Sequence, residues 1–149
     1  MSTRIIAIDP GASGALAFAH GLSVVIHPTK KTPQLDAVED ALTGAERVVA
    51  YVEQVGGYIG KPQPGSAMFR FGQGFGYWLG LLAALHVRTV LVRPQTWQKG
   101  LIGSTLKGAD RKRALRDEAA RRFPQVKVTL DNADALLLLD YAQRQGGAE

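Results

Sequence analysis

The sequence predicts an α/β domain: a mixed five-stranded sheet, three antiparallel strands first and then two more, with helices on both faces. Three observations predict it. Short β-branched apolar runs at Arg4–Ile8, Val48–Val52 and Thr89–Val92 read as strands. Ala15–Ala19 and Leu22–His27 flank His20-Gly21, the pattern of a hairpin. Helical stretches then alternate with the last two strand runs, which implies helices layered on a sheet.

Arg4–Ile8 ends at Asp9, and Pro10-Gly11-Ala12-Ser13-Gly14 is a turn with two glycines available for positive φ. After the hairpin, Thr32 as N-cap and Pro33 at the first helical position start a helix over Gln34–Leu42, which Gly44 ends. Val48–Val52 delivers Glu53 at its C-terminal end. Gln54 to Ser66 is too rich in Gly and Pro for regular structure. Ala67–His86 reads as a long helix capped by Ser66, Thr89–Val92 as the fifth strand and Pro94–Gly108 as irregular. Ala109–Phe123 is a basic helix stopped by Pro124, Val126–Leu130 a short extended piece, and Asn132–Gln145 the closing helix. No repeat, low-complexity tract or linker divides the chain, so residues 1–149 read as one domain.

With 149 residues and 46% hydrophobic content there is room for a real core. The absence of cysteine excludes disulfides, zinc thiolates, iron–sulfur ligation and thiol catalysis. It is compatible with a reducing cytoplasm, the expected location. An acid at position 9 comes too early for a signal peptide, and no apolar run approaches a membrane span. Net charge is +5, and residues 88–127 hold 11 Lys/Arg against 3 acids. Such a segment can hold a polyanion, although a solvated, helix-stabilising charge run is the commoner meaning.

Four carboxylates stand at element ends: Asp9, Glu53, Asp131 and Asp134. If they converge, mutual repulsion disfavours full ionisation unless a cation sits between them. Oxygen donors suit Mg²⁺ or Mn²⁺, which points to metal-dependent phosphoryl transfer. Structural explanations compete. Asp9-Pro10-Gly11 is a turn sequence. Asp131 is a good N-cap, and Asp134 three residues on completes something like a capping box, while i, i+3 spacing also puts the pair on one helix face. Glu53 has no evident cap or turn role.

Ile6-Ala7-Ile8-Asp9-Pro10-Gly11-Ala12-Ser13-Gly14, Val52-Glu53-Gln54-Val55 and Asp131-Asn132-Ala133-Asp134-Ala135-Leu136 resemble, in order, the three motifs of the RuvC type of Holliday-junction resolvase. The resemblance runs from about Ile5 to Leu139. It implies an RNase H-like fold, a homodimer and cleavage of four-way or branched DNA junctions with Mg²⁺ or Mn²⁺, two ions per site. It also implies that Asp9, Glu53, Asp131 and Asp134 are the catalytic, metal-binding quartet. Two cations can clamp an in-line displacement, and the most rigidly held carboxylate, Asp9 on a central strand, suits a bridging role.

Lys99, Lys107, Arg111 and Lys112 are the basic residues assigned to phosphate. The family has a lysine at the start of the helix that Ala109-Asp110-Arg111-Lys112-Arg113 resembles, and either Arg111 or Lys112 takes its place. Arg113, Arg116, Arg121 and Arg122 read as salt-bridged surface. The family's aromatic after Glu-Gln-Val is replaced by Gly56-Gly57-Tyr58, so Tyr58 is the candidate for base stacking, and Lys61 in the same loop for a DNA contact. The chain reads as a compact, phage-type member.

Gly72, Gly76 and Gly80 recur every four residues in the long helix, at a cost of roughly 2–3 kcal/mol in helix propensity. Close approach of another backbone would compensate. A symmetry mate across a dimer interface and an intrachain helix crossing are equally open. Two other functions stay in view: a related nuclease acting on other branched or single-stranded DNA or on RNA, and a non-catalytic junction-binding protein. An actin-like nucleotide-binding protein fits poorly, since 149 residues leave no second lobe.

Overall fold

The computed structural model describes residues 2–54, 56 and 65–146. Strands β1 (Thr3–Ile8), β2 (Ala15–His20), β3 (Ser23–Pro28), β4 (Arg47–Glu53) and β5 (Arg88–Val92) form one sheet in the order β3-β2-β1-β4-β5. The first three are antiparallel neighbours, while β1–β4 and β4–β5 run parallel. The central strand β1 therefore ends at the same edge as β4.

Side chains alternate across a strand, and the core divides accordingly. Ile6, Ile8, Leu16, Phe18, Val48, Ala50 and Val52 face helices α1 (Gln34–Leu42) and α2 (Gly65–Ala84). Ala7, Ala15, Ala17, Val49 and Tyr51 face α3 (Pro94–Gln98), α4 (Gly108–Arg122) and α5 (Ala133–Arg144). The expected mixed sheet with helices on both faces is thus present. Three alanines on the second face let α5 lie close against β1 and β2. All four of Leu136 to Leu139 are buried because α4 covers the side of α5 that the sheet does not. At about 1.5–3 kcal/mol each, as an upper bound, they anchor the helix that carries Asp134.

Several boundaries differ from the sequence reading. Pro94–Gly108 contains α3, started by Pro94 in its first turn and pinned by the buried Trp97. Val126–Leu130 joins no sheet; it leads into a turn. Pro33 is the N-cap of α1 rather than its first residue. The long helix begins at Gly65, so Ser66 lies inside it, and it stops at Ala84, with His86 in the left-handed region at φ 57°. The side chain expected to cap α5, Asp131, does not do so. Asn132 is the cap residue, and its buried side chain instead ties the preceding turn, accepting from Thr129 N at 2.8 Å and donating to Lys127 O at 3.1 Å. That arrangement releases both aspartates from capping.

The α2 stripe also has no partner among the described residues. A Cβ added at Gly72, Gly76 or Gly80 meets nothing within 4 Å, and Phe69 and Tyr77 beside it are 71% and 54% exposed. No helix among the described residues is long and apolar enough to cross a membrane.

Candidate active site

Asp9 follows β1 directly. Its N–H donates to Ala15 O at 3.0 Å, closing the turn, and Gly11 N–H donates to its Oδ1 at 3.2 Å. Ile8 pairs with Val52 in the parallel ladder, so Asp9 and Glu53 leave neighbouring strands side by side. Glu53 is itself held between two strands: it pairs with Val92, and Gln54 N–H donates to Val92 O at 2.7 Å. The glutamate is therefore fixed by ladder geometry rather than by the loop after it.

From the other direction, α5 brings Asp134 in its first turn. Asp9, Glu53 and Asp134 are partly buried. Burial pushes Glu53 up to about 8, helped by the charges of Asp9 and Asp134 and opposed by a hydrogen bond from Trp97. Burial and then Asp9 push Asp134 up to about 6, against Lys112 and Arg111. Burial also raises Asp9; Gly11 N–H and Lys112 work the other way, and Asp131 adds to the rise. Asp131 is half-exposed and reaches Lys30 Nζ at 3.4 Å. Burial thus leads at all three, Asp9 acts on both Glu53 and Asp134, and Asp131 acts on Asp9 from the rim.

Among the described residues no group of three or more His, Asp or Glu side chains is arranged to hold a metal ion as it stands. Asp131 is turned to Lys30 instead. The donor chemistry nonetheless fits a hard divalent cation: an all-oxygen set whose carboxylates are held above their ordinary pKa chiefly by burial.

The basic residues sort into two groups. Arg113 pairs with Asp110, Arg116 with Asp117, Arg121 with Glu118, and Arg122 with Glu118 and Asp140. Lys99, Lys107, Arg111 and Lys112 make no ion pair with any described residue; Lys112 and Arg111 instead face the carboxylates electrostatically. Tyr58 and Lys61 lie outside the described residues. The sequence reading missed two residues at the site. Lys30 meets Asp131 across 101 positions, which no local pattern signals. Trp97 donates its indole N–H to Glu53 Oε2 at 2.8 Å, and a tryptophan beside a candidate basic residue was the only available hint.

No protein-family model and no curated protein matches the chain. Among solved structures, Thermus thermophilus RuvC in complex with a Holliday junction substrate superposes with a TM-score of 0.63 at 16% identity, covering 99% of both chains. A second Thermus thermophilus RuvC structure gives 0.57 at 17% identity over 98% of both. The fold is that of RuvC. At these identities the RuvC likeness concerns the backbone, so the roles of individual side chains rest on their own geometry.

Proposed function

We propose that the chain is a metal-dependent, structure-selective DNA endonuclease that nicks four-way (Holliday) junctions. The observation that carries this is the placement of Asp9 and Glu53 at the ends of neighbouring paired strands with Asp134 on α5 beside them, where burial raises the pKa of all three and Asp9 adds to the rise of both Glu53 and Asp134. The RuvC fold and its junction-bound neighbour supply the substrate class.

Asp9, Glu53, Asp131 and Asp134 would hold two Mg²⁺ or Mn²⁺ ions. Bound there, such ions activate water and stabilise the leaving oxygen of a phosphodiester. Asp9, directly after the central strand and held by the Gly11 N–H, would suit a shared position. Glu53 and Asp134 approach from the neighbouring strand and from α5, and Asp131 exchanges its lysine partner for the site. Lys112 and Arg111 hold the reacting phosphate, with Lys99 and Lys107 further along the backbone, and Tyr58 and Lys61 in the loop engage bases and phosphate.

The second part of the proposal is a homodimer. The open stripe of Gly72, Gly76 and Gly80, flanked by exposed Phe69 and Tyr77, offers a surface on which a second α2 can approach closely. A two-fold pair of sites would suit a two-fold substrate. The setting would be the cytoplasm of a bacterial cell or of a phage-infected host.

The test is a synthetic four-way junction with Mg²⁺, compared with flap, duplex and hybrid substrates. Nicking of the junction is expected, and its loss in Asp9→Asn and Glu53→Gln. Robust cleavage surviving either substitution refutes the site. Preference for another substrate replaces the junction reading, and metal-independent binding without cleavage replaces the nuclease.

A further inference from the structure

We propose that Trp97 is a positioning residue for the metal site, its buried indole N–H holding Glu53 Oε2 and leaving Oε1 as the oxygen free for a cation. This rests on the metal-dependent reading above and deepens it.

Trp97 Nε1 donates to Glu53 Oε2 at 2.8 Å, and the residue is 1% exposed. An indole N–H is a donor only, so it can serve no partner but an acceptor such as this carboxyl oxygen. No described group engages Oε1. A carboxylate with one oxygen fixed cannot rotate freely about its last bond, so it meets a cation already oriented. The fixing element is rigid. Trp97 is packed in the core that holds Leu136 and Ala133, and α3 lies against α5, the helix that carries Asp134. Glu53 is thereby referenced to Asp134 through α3 and α5, as well as to Asp9 through the sheet. Hydrogen-bond partners behind a metal ligand typically account for 10- to 100-fold in affinity.

Trp78, the other tryptophan, is an internal control. It is equally buried, on the opposite face of the sheet, and its Nε1 has no partner among the described residues.

The experiment is ¹H–¹⁵N spectroscopy of the full chain, which shows two indole signals, joined to Mn²⁺ affinity measured without DNA. Glu53→Gln is expected to move the Trp97 signal and leave that of Trp78. Adding Mg²⁺ to the native chain should do the same. Trp97→Phe, which keeps an aromatic in the core, should weaken Mn²⁺ binding 10- to 100-fold. Its kcat should fall while junction affinity in EDTA stays unchanged. The proposal is overturned if Glu53→Gln leaves both indole signals in place, or if Trp97→Phe binds Mn²⁺ as tightly as the native chain. Should Trp97→Phe not fold, a Trp97 signal indifferent to saturating Mg²⁺ overturns it equally. A native chain that binds no Mn²⁺ at all instead sinks the metal reading. The response to Glu53→Gln still decides the hydrogen bond in that case.

Discussion

Gly14 is packed directly beneath Asp9: a Cβ placed on it would collide with the Asp9 carbonyl oxygen and stand 2.8 Å from Cγ. The turn from Pro10 to Gly14 is therefore shaped around the carboxylate it follows. Gly14 N–H donates to Gly11 O at 2.9 Å, and Asp9 N–H to Ala15 O. A side chain at position 14 therefore forces the Asp9 main chain and carboxylate to shift.

Gly14→Ala should accordingly act as an active-site substitution although it touches no substrate. Overpacking against main chain costs typically 1–3 kcal/mol. Thermal unfolding should show that loss, and junction cleavage should fall by at least tenfold. Unchanged cleavage would mean that Asp9 tolerates displacement.

Stability of the metal-free protein should fall as pH rises from about 5 to 8. The folded chain keeps protons on Glu53 up to about 8 and on Asp134 up to about 6, whereas the unfolded chain releases them near 4.5 and 3.8. Over that window the native state binds more protons, so unfolding becomes easier by up to about 1.4 kcal/mol per pH unit for each excess proton. Below the unfolded values both states are protonated and the penalty vanishes. Glu53→Gln should raise the EDTA melting temperature at pH 8 more than at pH 5, and Mg²⁺ should restore the native protein at pH 8. A variant-minus-native difference that is flat across this range counts against the crowded site.

Lys112 should matter more than Arg111. Its charge acts on both Asp9 and Asp134, whereas Arg111 acts on Asp134 alone. Lys112→Ala is expected to lower turnover on the order of 10²-fold and Arg111→Ala about tenfold, by single-turnover cleavage. The reverse order would assign the family's lysine position to Arg111.

The open stripe on α2 gives a test of assembly. Wild-type protein should sediment as a dimer at micromolar concentration, and Gly76→Leu as a monomer. In an isolated monomer the added Cβ meets none of the described residues, and the substitution should stabilise the helix by about 0.8 kcal/mol. A monomeric native mass ends the dimer proposal.

The sequence by itself determined the sheet and its two-sided core, because strand and helix periodicities are local. Ile6 and Ile8 against Ala7, or the run from Val48 to Val52, already state which residues share a face. It also placed Asp9 and Glu53 at strand ends, since each terminates an apolar run. What it left level were roles that depend on distant neighbours. Asp131 and Asp134 satisfy a capping pattern as well as a site pattern, and only the fold shows Asn132 taking the cap position and its side chain tying the turn. The glycine stripe fits an internal crossing as well as an open face, and only packing shows that nothing in the described chain covers it. α3 is not legible in the sequence because a five-residue helix that begins at a proline carries too little periodicity to register. With it went Trp97, 44 positions from the glutamate whose oxygen it holds. Contacts made across such separations are fixed by the order and register of strands, which no local pattern encodes.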